Sequence, residues 1–234
     1  MRICAISDLH IGSGDRTDRF GHAMPEFHRF LDDMERRSDR IVLVGDILDT
    51  HHGVVPFDFF GEVRRAAAAY PGLVDRLLSG AYHIVSGNHD ECLETLPGAG
   101  SLKTIDADGT RVILLHGHQY DRLIRWAPHV CAVGNWAGGR FEAAGMPGAL
   151  RFLDRFDDWA NNGVQRSRTD IYRDRAVALG AEHRAAVVVM GHLHKQDLHR
   201  DRGVTYVNCG SCVQGRFEFA LIDTATGGAE VGRW

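Results

Sequence analysis

The stretch Tyr82-His83-Ile84-Val85-Ser86-Gly87-Asn88-His89-Asp90 begins as a short apolar run and ends in a cluster of polar groups. Such a run, stopped by a glycine, reads as a buried strand, and the polar cluster then falls in the loop beyond its carboxyl end. Asn88 offers a neutral carbonyl oxygen that meets a cation without adding negative charge, and the imidazole beside it stays available for a substrate. Taken alone, the same letters also fit an Asn turn followed by a helix cap from Asp90.

Working outward from this stretch, the same grammar recurs four times. Residues 2–7 deliver Asp8 and His10, residues 41–44 deliver Gly45-Asp46, residues 112–115 deliver His116-Gly117-His118, and residues 187–190 deliver Gly191-His192-Leu193-His194. Helical patterns lie between these runs at 25–37, at 57–78 with an interruption at Pro71-Gly72, and at 164–182. Alternating strand and helix patterns predict a layered α/β fold. An Asp108-Gly109 turn between strand-like runs over 104–115 predicts a hairpin, and 204–234 reads as further short strands, so the sheets are expected to be mixed. From 119 to about 163 no strand pattern appears, and Gly, Pro and aromatic residues gather instead. That segment reads as a helical cap inserted over the strand ends.

Composition sets the outer limits. With 234 residues and 44% apolar content, the chain holds enough material for one core, and a single domain spanning 1–234 with the cap insertion is expected. No stretch approaches the ~20 apolar residues that span a bilayer, and the N-terminus runs straight into a strand pattern, which predicts a cytoplasmic protein. Five cysteines, at 4, 92, 131, 209 and 212, are too few and odd in number for a disulfide framework and are expected to pack as small hydrophobes. A net charge of −4 argues against a broad basic face for nucleic acid.

The strand ends carry metal-type donors. Asp8-x-His10 places an oxygen and an imidazole on one side of an extended loop. Asp46 has two oxygens able to bridge two cations, and Gly45 before it permits close backbone approach. His116, His118, His192 and His194 add imidazoles at the ends of two strongly apolar strands.

The ordered set Asp8-Leu9-His10, Gly45-Asp46, Gly87-Asn88-His89-Asp90, His116-Gly117-His118 and Gly191-His192-Leu193-His194 resembles the calcineurin-like metallophosphoesterases. The resemblance covers nearly the whole chain outside the cap and extends to the turn Asn208-Cys209-Gly210-Ser211. It implies an α/β/β/α sandwich of two mixed sheets with a dinuclear centre at the sheet edges. It places Asp8, His10 and His194 on one metal, Asn88, His116 and His192 on the other, and Asp46 between them. With oxygen and nitrogen donors only, two divalent cations are expected, Mn²⁺ foremost and Fe²⁺ or Zn²⁺ as alternatives. A water shared by two such cations becomes hydroxide near neutral pH and attacks phosphorus in line with the leaving oxygen. His89 is the candidate proton donor to that oxygen, Asp90 its candidate orienting group, and His118, Arg122 and Arg125 the candidate substrate contacts.

His118-Gln119-Tyr120-Asp121 followed by an aromatic cap is partly similar to the branch containing UDP-2,3-diacylglucosamine pyrophosphatases, many of which carry Arg in place of His89 and an acidic residue in place of His118. Trp126, Trp136, Phe141, Phe152, Phe156 and Trp159 are read either as an apolar or nucleobase pocket or, with greater weight, as the cap's own small core. The expected substrate is a small phosphorylated or nucleotide-diphosphate-type molecule, with peripheral lipid contact through the cap. A nuclease would want a basic groove. A catalytically silent binding module should have lost ligands, and here all seven are present together with His89.

Overall fold

The computed structural model describes residues 1–53, 55–146, 148 and 167–234. Two five-stranded sheets form its centre. The first has the order β10-β9-β1-β2-β3, where β1 is Arg2–Ile6, β2 Arg40–Val44, β3 His83–Val85, β9 Glu218–Asp223 and β10 Gly228–Arg233. In it β1, β2 and β3 run parallel, and β9 lies antiparallel to both β1 and β10. The second has the order β4-β5-β6-β8-β7, where β4 is Leu102–Ala107, β5 Thr110–Leu115, β6 Val187–Met190, β7 Asp197–Asp201 and β8 Val204–Asn208. Here β5, β6 and β8 run parallel, with antiparallel β4 and β7 at the edges.

Side-chain alternation along each strand builds the layers. Ile3, Ala5, Val42 and Val44 of the first sheet pack with Val112, Leu114, Val187 and Val189 of the second. The intervening residues Cys4, Ile6, Ile41 and Leu43 face the opposite way, onto Phe27, Phe30, Leu31 and Met34 of α1 (Met24–Arg37) and onto α2 (Phe59–Ala69) and α3 (Leu73–Leu77). Ile113, Leu115, Val188, Met190 and Tyr206 turn outward to Tyr172 and Ala176 of the helix Arg168–His183. Helices therefore cover both outer faces, and the α/β/β/α architecture follows from strands that are apolar on both sides.

The local signals agree with these elements. In α1 the buried residues fall at i, i+3, i+4 and i+7, Pro25 occupies the first turn, Glu26 is at the N-terminal end and Arg36 and Arg37 are at the C-terminal end. Gly72, with φ of 79°, separates α2 and α3 where the sequence breaks at Pro71-Gly72. Asp108 and Gly109 have φ of 51° and 78°, the left-handed pair that a tight two-residue hairpin requires.

The segment after β5 is helical. A single-turn helix, α4 (Arg122–Trp126), leads into α5 (Pro128–Ala143), and the chain returns through α6, the helix Arg168–His183. Residues 164–166 of the expected third helix, together with Phe152, Phe156 and Trp159, lie outside the described residues. Trp126 is 85% exposed and Phe141 52%, so these two rings do not form the small cap core that the sequence suggested. Trp126 ends α4, and Pro128 starts a new helix directly after it. Cys4, Cys209 and Cys212 are buried and Cys92 and Cys131 half-buried, all as free thiols; burial pushes Cys4 up to about 12 and raises Cys209 and Cys212 further. The pair Cys209 and Cys212 is thereby inert packing material. No helix among the described residues is long and apolar enough to cross a membrane.

Candidate metal centre

Parallel strands of both sheets end at one rim, and the residues after β1, β2, β5 and β6 converge there. The backbone is bent sharply to achieve this. Asp8, His10, Asp46, His192 and His194 all have positive φ, between 46° and 67°. Non-glycine residues adopt this region at a cost and hold it only where the surroundings over-determine the conformation. The bonds from Asp8 N to Gly45 O (3.0 Å) and from Leu9 and His10 N to Asp46 O (2.9 Å each) supply that constraint. Glycines make the room. A Cβ on Gly45 would sit 2.3 Å from His116 Nδ1, and one on Gly87 would sit 2.0 Å from Asp46 Oδ1.

Seven expected donors are on this rim, and six of them close into two groups with no member in common. Asp8, His10 and His194 bring ligand atoms within 4.8 Å of one another, and so do Asp46, His116 and His192. Asp8 Oδ1 is 3.0 Å from His194 Nε2, and His10 Nε2 is 3.2 Å from His194 Nε2. Asp46 Oδ2 reaches towards both groups, 3.2 Å from His116 Nε2 and 3.7 Å from His10 Nε2. Asn88 Oδ1 is buried with no donor. His116 Nδ1 lies 2.9 Å from Val44 O, which places a hydrogen on Nδ1 and leaves Nε2 facing Asp46 Oδ2.

The electrostatics suit cations. Burial alone would favour neutral carboxyls, yet the imidazoles of His194 and His116 hold Asp8 down to about 2, and His116 and His89 hold Asp46 well below the usual carboxylate range. Two buried anions lined by lone-pair donors, including an orphaned amide oxygen, form a set that divalent ions fit.

His89 stands beside this centre. Its amide donates to Asp46 Oδ1 (2.9 Å), and its Nδ1 lies 3.1 Å from Asp49 Oδ1. Burial opposes protonation of the ring, but Asp46 and Asp49 raise it to about 9. The orienting role expected of Asp90 therefore falls to Asp49. The Asp90 carboxylate is spent on the backbone, accepting from Ile47 N (2.6 Å), Leu48 N (3.2 Å) and Gly87 N (2.6 Å), and so locks the two ligand-bearing loops together. Asp49 Oδ2 also meets His52 Nδ1 at 2.9 Å. The spacing Asp46-x-x-Asp49 after a strand end was the available signal for Asp49.

His118 is buried against the rings of His116 and His192, at centroid distances of 5.5 and 6.4 Å, and burial with those neighbours lowers it to about 3. Arg122 and Arg125 are exposed on α4. Two residues that the sequence reading did not weigh as site groups do reach a donor: Asp121 Oδ2 is 3.3 Å, and Arg168 Nη2 3.0 Å, from His192 Nε2. Asn208 explains the late turn, since its Nδ2 donates to Gly191 O (2.6 Å) and its Oδ1 accepts from Gly210 N (3.1 Å), while Ser7 Oγ donates to Gly210 O (3.1 Å).

Residues 1–134 match the model of the calcineurin-like phosphoesterase superfamily domain. A UDP-2,3-diacylglucosamine hydrolase of Shewanella loihica is 27% identical over 210 residues, covering 83% of this chain and 81% of that protein. Among solved structures, Vps29 of Chaetomium thermophilum has a TM-score of 0.49 at 13% identity, covering all of this chain and 94% of that one. An archaeal phosphodiesterase has a TM-score of 0.44 at 13% identity over the full length of both. With the family model spanning more than half of its length, the chain belongs to the calcineurin-like phosphoesterase superfamily and is a metal-dependent hydrolase of phosphoester or anhydride bonds.

Proposed function

We propose that the chain cleaves a phosphodiester or pyrophosphate of a small nucleotide-diphosphate-type substrate at a dinuclear centre held by Asp8, His10, Asp46, Asn88, His116, His192 and His194. The observation that carries this reading is the position of Asp46 Oδ2 between the two donor groups, 3.2 Å from His116 Nε2 and 3.7 Å from His10 Nε2. Two divalent cations there, with Mn²⁺ the first choice and Fe²⁺ or Zn²⁺ the alternatives, supply Lewis acidity towards phosphoryl oxygens and lower the pKa of water.

The chain's own residues do the rest. His89, held through Nδ1 by Asp49 and kept charged up to about 9, carries a proton that its Nε2 delivers to the departing oxygen. Asp90 keeps the loops that bear Asp46 and Asn88 in register. His118 beside the centre and Arg122 and Arg125 on α4 are placed in this reading as contacts to the non-reacting part of the substrate, with residues 119–163 acting as a cap over one domain. The name of the Shewanella relative supports a nucleotide-sugar-type substrate.

One observation favours a narrower reading, in which the substrate carries acyl chains. Trp126 at the end of α4 and Val130, Val133 and Phe141 on α5 are 47–85% exposed, an apolar surface suited to lipid.

Metal-stripped protein resupplied with Mn²⁺ should hydrolyse bis-p-nitrophenyl phosphate in preference to p-nitrophenyl phosphate, and Asp46→Asn should abolish that activity. Preference for the monoester, or diester turnover that survives metal removal, would overturn the proposal.

A further inference from the structure

At the base of the cap, two residues from opposite stems meet over one metal-type ligand. Asp121 closes the stem that enters the cap. Its Oδ1 caps α4, accepting from Leu123 N (2.9 Å) and Ile124 N (3.2 Å), and the residue is only 1% exposed. Arg168 opens α6, the stem that leaves the cap, and its Nη2 donates to Asp121 Oδ2 at 2.5 Å. His192 Nε2 lies 3.3 Å from that same oxygen and 3.0 Å from the guanidinium. Tyr172, one turn further along α6, stacks on the His192 ring at an interplanar angle of 20° and a centroid distance of 6.2 Å.

This geometry bears on which nitrogen of His192 carries the hydrogen. A neutral imidazole has one N–H and one lone pair. If Nε2 accepted from Arg168, Nδ1 would carry the hydrogen, and neither nitrogen would have a lone pair left for the group that His192 forms with Asp46 and His116. If Nε2–H points instead at Asp121, both it and the guanidinium N–H aim at one carboxylate oxygen, and Nδ1 keeps the lone pair that a cation needs. The buried carboxylate selects the second arrangement. We propose that Asp121 is a positioning residue that fixes His192 as an Nδ1 ligand of the second metal, and that its ion pair with Arg168 ties the two stems of the cap to that metal. This rests on the dinuclear reading above.

The consequence is a division of labour within the centre. The group of Asp8, His10 and His194 has a different carboxylate neighbour, Asp49, whose Oδ2 is 3.8 Å from His10 Nδ1, so loss of Asp121 should weaken one of two metals and spare the other. The chain is stripped of metal and titrated with Mn²⁺, following calorimetry and electron paramagnetic resonance, as wild type, Asp121→Asn and Asp121→Ser. Both substituents keep an oxygen that can cap α4, and neither offers Nε2–H a carboxylate. Wild type should bind two equivalents with a spin-coupled signal. Each variant should retain the first equivalent at wild-type affinity, bind the second about 10- to 100-fold more weakly, and show the six-line signal of isolated Mn²⁺ at one equivalent.

Retention of both equivalents at wild-type affinity would overturn the inference, as would equal weakening of both sites in step with a lowered melting temperature, which marks general loosening. Fewer than two equivalents in the wild type would sink the dinuclear reading and this inference with it, so the two failures are told apart by the wild-type titration alone.

Discussion

At the scale of single residues, the centre depends on a few atoms whose alternatives are worse. Asp49 is buried among His10, His52 and His89, with Oδ1 3.1 Å from His89 Nδ1. Its carboxyl stays well below the usual range because the charges of His52 and His89 outweigh the burial that opposes ionisation. It thereby fixes the orientation and the proton of His89. The expected outcome of His89→Gln is a fall in kcat of about 10²- to 10⁴-fold, the range for removal of a general acid, with Mn²⁺ content unchanged. Asp49→Asn should produce a smaller fall of the same kind. Loss of metal in His89→Gln, measured by elemental analysis, would instead place that residue among the ligands.

At the scale of elements, α1 and α3 are joined by a polar cluster outside the core. Arg76 Nη2 donates to Asp32 Oδ1 (2.6 Å) and Glu35 Oε1 (2.9 Å), its Nε donates to Tyr82 Oη (3.1 Å), and the Tyr82 hydroxyl donates to Glu35. Partial burial would raise the Glu35 carboxyl, but Tyr82 and Arg76 prevail and hold it below its ordinary value. A folded-state pKa below the unfolded one means that Glu35 stabilises the fold above the unfolded value of about 4.3 and loses that contribution as pH falls through the folded value. Urea unfolding of wild type and Glu35→Gln should therefore differ at pH 7 and converge once the pH falls below the folded value, the gap at pH 7 being of the order of 1 kcal/mol or less for so exposed a pair. A gap that widens on acidification would contradict the cluster's assigned sign.

At the scale of the whole molecule, the donors come from both sheets: Asp8, His10, Asp46 and Asn88 follow strands of the first, and His116, His192 and His194 follow strands of the second. A cation held among them would clamp the two layers at their rim and would bind only the folded state. Mn²⁺ at 100 times its dissociation constant should thus stabilise the protein by about 2.7 kcal/mol, and chelation should lower the melting temperature by several degrees. An unchanged melting temperature on chelation would mean that the rim is held without metal.

The sequence by itself determined the class of fold and named a set of candidate donors. Runs such as Val187–Met190 are apolar at every position, which only a strand covered on both faces tolerates, and β1, β2, β3, β5 and β6 are each followed within three residues by a candidate ligand. These are local properties, written within a few consecutive residues. What the chain could not display locally was pairing across distance. Asp90 lies next to His89 in the sequence, yet its carboxylate turns to the amides of Ile47 and Leu48 about 40 residues away, and Asp49 takes its expected place. Arg168 carries no motif at all, and it reaches His192 only because α6 packs on the second sheet with its first residue over the strand ends. Trp126 and Phe141 have the composition of a core, and their exposure depends on how α4 and α5 are set against the rim. Ligand identity follows from donor chemistry, which each residue carries with it. The groups that orient a ligand are chosen by whichever neighbours the packed layers bring within about 3 Å, the reach of a hydrogen bond, and that choice is made only when the tertiary structure closes.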